Sequence, residues 1–501
     1  MKKILARLLM LVPAVVLQLA WYVLIFSLLY NFAIYLQILL LVATIMILLF
    51  IINKRDEPNY KMMWIMVIMS FPFVGTWIYI GSGNKRAAKK VVKRIDRNEA
   101  DVFIAKNNKI SGNVFDSDKR FTGTLKMAES MTGALPSSAI NPVFYPLGED
   151  MYGDLISELK RAQKFIFMEY FIISGGVFWE SIVKILEEKV KEGVDVRVLY
   201  DDIGSISTFS RRDRKILASR GIKCEAFNAL VFVKMTLNNR DHRKMTIIDN
   251  RVCFSGGVNI GDEYINVKSR FGHWKDIGFK FEGEGVLDYT RMFVLFWNAY
   301  SKDKIDISSL YIPVYKTDNA DGYVFSYYDS PASEEPVSNK IFIDLLAQAE
   351  KTAYFYTPYL IIPDSLKEAF IQAASRGVDI RIIIPGIPDK KLIYKFTLSY
   401  AEELSKHGVK IYKYTPGFLH AKGCIIDDKI CTVGSVNLDY RSLYLHFECN
   451  SVFYNSDLIK ELKNDFLSTQ SQSRYMETKE LHVRFFGSIF GKILRIFAPL
   501  C

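Results

Sequence analysis

The chain has 501 residues, half of them apolar, and a net charge of +11. That length supports two or three domains, each with its own core. The first 100 residues hold thirteen Lys or Arg against four Asp or Glu, whereas the other 401 hold 52 against 50, so no basic groove for a nucleic acid is indicated.

Residues 8 to 52 are almost unbroken apolar sequence, too long for a cleaved leader. As one helix the run would rise about 65 Å, roughly twice a ~30 Å hydrocarbon core. A helical hairpin over about 8–29 and 32–53, turning near Asn31, resolves the excess. A third apolar segment, about 62–81, contains Pro72 and Gly75. Charge then sets a conflict. Lys2, Lys3 and Arg7 hold the N-terminus inside, and Lys54 and Arg55 return inside. A full third span would export Lys85, Arg86, Lys89, Lys90, Lys93, Arg94 and Arg97. Either that segment is re-entrant, broken at Pro72, or the first run crosses an odd number of times. Both leave the large C-terminal region cytoplasmic. Residues 1–83 read as an α-helical membrane region and 84–134 as a basic juxtamembrane linker.

The next 341 residues read as two copies of one α/β unit, 135–315 and 316–475. "KFIFMEYFII" (164–173) and "EGVDVRVLYDD" (192–202) in the first copy answer to "AYFYTPYLII" (353–362) and "RGVDIRIIIPG" (376–386) in the second. Continuous β-branched and aromatic runs between helical patterns predict a buried mixed sheet with helices on its faces, its halves related by a pseudo-twofold axis. The tail, 476–501, places Phe485, Phe486, Ile489, Phe490, Ile493, Leu494 and Phe497 on one helical face. An interfacial helix on the bilayer is the preferred expectation, with a helix packed on the domain as the alternative.

Each copy carries one triplet at one spacing: His242, Lys244 and Asp249 in "HRKMTIID", and His420, Lys422 and Asp427 in "HAKGCIID". On a strand, alternate residues share a face, so each half presents an imidazole beside an ammonium. The two Asp complete the motif and are counted with the catalytic set. Their offset of five residues from Lys nevertheless places them on the opposite face, which suits an anchor for a turn. Gly256 and Gly257, and Gly434 and Ser435, precede Asn259 and Asn437. Small residues there admit a close approach, and the amides can donate hydrogen bonds. If the halves meet along these edges, two His, two Lys and two Asn form a phosphate site. An imidazole nucleophile attacks as the neutral base, so its other N–H needs an acceptor. The six cysteines follow no CxxC or Cys/His metal spacing and read as reduced, mostly buried thiols.

"HRKMTIIDNRVCFSGGVNIGDEY" and "HAKGCIIDDKICTVGSVNLDYRS" resemble the paired signature of the phospholipase D superfamily. With the apolar N-terminus, "YIGSGNKR" and "LDYRSLYLHFE", the chain resembles bacterial cardiolipin synthases over nearly its whole length. The resemblance implies two tandem phospholipase D-like repeats and transfer of a phosphatidyl group between two phosphatidylglycerol molecules, through a covalent phosphohistidine. It implies His242 as nucleophile and His420 as general acid and base, with Lys244, Lys422, Asn259 and Asn437 on the phosphoryl oxygens. Asp276 and Glu448 match the family's acidic acceptors. No metal or cofactor is implied. The implied setting is the bacterial cell membrane, multi-pass, with the bilayer and its anionic lipid as partners; a homo-oligomer stays open. A hydrolase or transphosphatidylase using water or another alcohol needs the same site, and a superfamily nuclease fits the charge less well. His273, His407, His446 and His482 lack a matching context and read as ordinary residues.

Overall fold

The computed structural model describes residues 16–24, 27, 32–83, 89, 92–93, 119–228, 238–315, 319–333 and 335–500. Most of the basic cluster at 85–97 and both ends of the expected first arm lie outside the described residues. The chain divides into two units, one built on residues 1–87 and the other holding nearly all the rest.

In the N-terminal unit, residues 16–24 are helical and Ala33–Ile52 forms a 20-residue helix, long and apolar enough to cross a membrane. The third apolar segment is not one span. It breaks at Phe71 into helices Pro58–Ser70 and Pro72–Ile78, each well short of the ~20 residues that cross a ~30 Å core. Pro72 cannot donate into the preceding helix, and the carboxylate of Glu57 caps the first helix by accepting the Tyr60 N–H at 2.8 Å. Gly75 sits against this reversal: a Cβ there would lie 2.7 Å from the Val67 carbonyl oxygen.

The larger unit is built on one long sheet. Its first half contributes β1 (Ser137–Tyr145), β2 (Phe165–Tyr170), β3 (Asp195–Asp201), β4 (Lys223–Phe227), β5 (Lys244–Ile248), β6 (Val252–Gly256), β7 (His273–Lys275) and β8 (Gly278–Glu282). The second contributes β9 (Ala320–Asp329), β10 (Thr352–Tyr356), β11 (Leu360–Ile361), β12 (Asp379–Pro385), β13 (Lys410–Tyr414), β14 (Gly417–Leu419), β15 (Gly423–Ile426), β16 (Ile430–Gly434), β17 (Leu438–Asp439), β18 (Glu448–Tyr454) and β19 (Ser473–Tyr475). Outward from its centre the long sheet runs β1-β8-β6-β5-β2-β3-β4 on one side and β9-β18-β16-β15-β10-β12-β13 on the other, with β19 beyond, while β11 with β17 and β7 with β14 form two separate two-stranded sheets. β1 and β9 pair antiparallel between them, so a pseudo-twofold axis passes through that pair. Every residue of β2 is buried, as expected of a strand covered on both faces. Helices Val286–Tyr300 and Asp457–Ser471 share one apolar core on the face common to both halves.

Two expectations change here. The segment read as linker to residue 134 becomes part of the fold at Lys119–Thr132, a helix whose Phe121, Leu125 and Ala128 are buried with Phe342 and Leu345 of the second half. Those three apolar residues stand at helical spacing among charged neighbours, so the basic composition masked an amphipathic helix. Part of the tail packs on protein, while Ile493 of the expected apolar face is 51% exposed. Phe486 meets Phe396 at 5.0 Å, Arg495 pairs with Glu403 at 2.9 Å, and Ala498 is buried.

Candidate active site

The triplets sit at the carboxyl ends of β2 and β10, where β5 and β15 begin beside them. Tyr170 is opposite Lys244, and Tyr356 is opposite Gly423. Each histidine is fixed there by backbone from the other half. The His242 N–H donates to the Phe447 carbonyl at 2.8 Å, and the Phe447 N–H donates to the Arg240 carbonyl at 2.9 Å. In the mirrored arrangement β14 pairs with β7, and the His420 N–H donates to the Lys275 carbonyl at 2.7 Å. Phe447 and Lys275 each stand one residue before an acid. His242 Nδ1 therefore lies 2.9 and 3.0 Å from the two oxygens of Glu448, and His420 Nδ1 lies 2.6 Å from Asp276 Oδ2. The acids matched from sequence cross over: each half's carboxylate holds the other half's imidazole. Once ionised, a carboxylate only accepts, so Nδ1 then carries the proton and Nε2 the lone pair.

The lysines fold back against the histidine backbone. Lys244 Nζ donates to the His242 carbonyl, Lys422 Nζ to the His420 carbonyl, and Lys422 Nζ lies 2.8 Å from His420 Nδ1. Both lysines are almost wholly buried, and the charges of Lys244 and Lys422 act on one another. The Lys422 and His420 charges also reach His242, so the two halves share one electrostatic site. Burial, reinforced by Lys244, His446, Lys422 and His420, holds His242 well below the usual imidazole range. Burial and Lys422 bring His420 down to about 4 against the pull of Asp276. Burial lowers Lys244 to about 8 and Lys422 to about 7, and raises Glu448 to about 8 against the charge of Lys244. An anion entering this site reverses the drift of the lysines, because a neighbouring negative charge favours the ammonium form.

The small residues differ between the halves in a useful way. A Cβ on Gly257 would lie 2.0 Å from Asp276 Oδ1, so only glycine leaves room for that carboxylate. Its counterpart Ser435 uses its hydroxyl, donating to Glu448 Oε2 at 2.5 Å while accepting the Cys449 N–H at 3.0 Å. Asn259 is bonded at both ends of its amide, whereas Asn437 uses only Nδ2 and its buried Oδ1 has no partner among the described residues. Asn259 accepts the Ile172 N–H at 3.0 Å and donates to Tyr264 Oη at 2.8 Å, and Asn437 donates to Asp439 at 3.3 Å. The motif aspartates stand at the far ends of β5 and β15. Asp249 and Asp427 occupy left-handed backbone (φ 56° and 50°), which Asp tolerates. Asp249 accepts the N–H groups of Gln163, Lys164 and Phe165, each at 2.8 Å. Asp427 accepts those of Glu350, Lys351 and Thr352 at 2.7 to 2.9 Å. They hold turns and are removed from the reacting set.

His446 is also misread by context alone. Its buried ring lies 6.2 Å from that of His242, and Arg441 Nε donates to its Nε2 at 3.1 Å. It stands two residues before Glu448, as Trp274 does before Asp276, and Trp274 lies 5.4 Å from His420. That repeated offset was the available signal. Beneath His242, Arg240 is clamped by Asp201 at 2.8 to 3.0 Å, and Asp201 also accepts the Asp241 N–H at 3.0 Å. Arg243 lies over the Phe296 ring and pairs with Glu169 and Asp241. These buried charges fix the backbone on both sides of the nucleophile candidate.

A family model described as a cardiolipin synthase, phospholipase D-like domain matches residues 155–269 and 342–469. One described as a phospholipase D-nuclease N-terminal region matches 39–81. The chain is 39% identical to an uncharacterized protein of Streptococcus mutans over 90% of this chain and 99% of that one. It is 30% identical to a cardiolipin synthase of Alkalihalophilus pseudofirmus over 93% of each. It is 31% identical to one of Listeria monocytogenes over 89% of this chain and 96% of the other. Among solved structures, a phosphatidylserine synthase of Haemophilus influenzae shares the fold with a TM-score of 0.56 at 15% identity, covering 76% of this chain and 98% of that one.

Proposed function

The chain belongs to the cardiolipin synthase family of the phospholipase D superfamily and is a phospholipid phosphatidyltransferase; from that premise we propose that it joins two phosphatidylglycerol molecules into cardiolipin and releases glycerol. The observation that carries the reading is the pair of crossed imidazole–carboxylate contacts, His242–Glu448 and His420–Asp276, with Lys244 and Lys422 between them. His242 Nε2 attacks the donor phosphorus, the bond to the departing glycerol oxygen breaks, and His420, held as the doubly protonated imidazolium by the bound phosphate anion, supplies from Nε2 the proton that oxygen needs. His420 then takes the proton from a hydroxyl of the second phosphatidylglycerol. That oxygen attacks phosphorus, the P–N bond breaks, and His242 is returned. The lysine ammonium groups neutralise the phosphoryl oxygens throughout. Glu448 and Asp276 each stabilise the positive imidazole that forms beside them. The N-terminal helices hold the enzyme in the membrane, and the Lys and Arg excess of the first 100 residues favours a cytoplasmic catalytic unit.

The full-length protein, purified in detergent and incubated with phosphatidylglycerol without divalent metal, should yield cardiolipin and free glycerol by lipid mass spectrometry. Phosphatidic acid and glycerol without cardiolipin would make water the acceptor and overturn the transferase reading.

A further inference from the structure

With part of the tail folded onto protein, the catalytic unit still exposes large aliphatic side chains at the end that carries the site. Val177 is 54% exposed, Ile206 57%, Val267 57% and Ile387 42%. They stand on the connections that follow β2, β3, β6 and β12, all leaving the sheet at the end where His242 and His420 lie. Fixed contacts join these connections around one mouth. The Asp262 carboxylate accepts the N–H groups of Val177 and Phe178 at 3.2 and 3.0 Å, and its carbonyl accepts the Val267 N–H at 3.0 Å. Val177 and Val267 thus flank a single residue. Across the mouth the Ile387 Cδ1 approaches to 3.2 Å of where a Gly272 Cβ would be, and the Ile387 N–H donates to Gly417 at 3.0 Å. Beside Ile206, Ser205 donates to the Phe171 carbonyl at 3.2 Å, and the Phe171 ring lies 4.9 Å from that of His242.

The charges on this rim select the partner. Lys268, Arg270, Lys390 and Lys391 are exposed among the aliphatic residues. Of the acids nearby, Asp262 caps a helix and Asp389 accepts from Tyr359 Oη at 2.7 Å and from Lys390 at 2.5 Å, while Glu263 is half-buried beside Asp262; with Lys390 so paired, the cationic character of the rim rests on Lys268, Arg270 and Lys391. Aliphatic side chains that cannot be solvated cheaply, ringed by cations, match a layer whose interior is hydrocarbon and whose surface is anionic. We infer that the rim Val177, Ile206, Val267 and Ile387, with Lys268, Arg270 and Lys391, is a docking surface for an anionic lipid bilayer. It sets the mouth of the site at headgroup depth. The inference rests on the lipid-substrate reading only for the mouth being the lipid's entrance.

The test uses the full chain in nanodiscs of phosphatidylcholine, with and without phosphatidylserine, carrying a nitroxide through Val267→Cys or Ile387→Cys in a Cys501→Ser background. Enhanced oxygen accessibility at both rim sites, greater with the anionic lipid, is expected. A label through Val314→Cys should stay water-exposed: Val314 is 94% exposed and stands beyond Tyr311, whose carbonyl accepts from Asn250 in the turn at the opposite end of β5. Solvent-like accessibility at both rim sites overturns the inference whether or not the protein makes cardiolipin. In parallel, the double variant Val267→Asp/Ile387→Asp should lose about tenfold in kcat/KM on bilayer phosphatidylglycerol. It should keep wild-type turnover of short-chain phosphatidylglycerol below its micellar concentration. Equal loss on both substrates, or no loss on bilayers, overturns it.

Discussion

Replacing Glu448 by Gln preserves volume and removes the ionisable group from the contact that orients His242. The geometry gives the size of the effect. Ser435 Oγ accepts the Cys449 N–H and donates to Glu448 Oε2 at 2.5 Å, so in the variant it draws the amide oxygen. The amide nitrogen then faces His242 Nδ1, where the carboxylate stood at 2.9 Å. Where Nδ1 accepts from it, the imidazole proton moves onto Nε2, the attacking atom; the amide oxygen at the place of Oε2, 3.0 Å away, is the one remaining acceptor for Nδ1–H. Keeping the productive tautomer brings that N–H up against the amide N–H in a dry site, at a cost of about 1–3 kcal/mol. This slows kcat by about 10–10²-fold, with little change in KM. Stability should move the other way. Burial raises the folded Glu448 carboxyl to about 8 from an ordinary value of 4.5, so its ionisation opposes folding between those two pH values. At neutral pH Glu448→Gln should therefore unfold no earlier than the parent. The assay is initial-rate cardiolipin formation in mixed micelles, with thermal unfolding of the same samples. A loss below about fivefold, or a parallel loss of activity and melting temperature, would refute the reasoning.

His242→Ala and His420→Ala should each abolish turnover, whereas His273→Ala, whose ring bonds Tyr414 Oη at 2.8 Å, should retain most of it; equal loss from all three would point to instability. Asp249→Ala removes the acceptor of three backbone N–H groups and leaves Ala at φ 56°, costing about 2–4 kcal/mol of stability with kcat per folded enzyme unchanged. A lost kcat in folded Asp249→Ala would return that residue to the chemistry. Gly257→Ala should displace Asp276 and lower kcat in a folded protein, because the new Cβ would lie 2.0 Å from a carboxylate oxygen; unchanged kinetics would show that the carboxylate can move freely. With Lys422 near 7 and Lys244 near 8 in the anion-free site, both ammonium groups are present below those values and lost above them. Accordingly kcat/KM should fall as pH rises from about 7 to 9, while kcat at saturation holds further; a flat kcat/KM over that range would contradict the lysines' role.

The amino-acid sequence determined the duplicated α/β unit, the two His-Lys pairs, and the turn role of Asp249 and Asp427, since all three depend on spacing along the chain. Side chains alternate faces along extended backbone, so the aspartate falls opposite the lysine, although His242, His420 and Lys422 stand just ahead of β5 and β15 and are seated by backbone contacts across the halves. The acids could be named because they follow their own motifs, but their exchange between halves could not. That exchange depends on β7 meeting β14 and on Phe447 meeting His242, contacts that only the closed pseudo-twofold arrangement creates. Residue His446 became part of the site for the same reason. The helix Lys119–Thr132 and the aromatic tail show the complementary limit. Amphipathic spacing states that a face is apolar, yet lipid and protein core satisfy such a face equally well, and only tertiary packing decided that the Lys119–Thr132 helix is buried and that Phe486, Leu494 and Ala498 of the tail lie on protein.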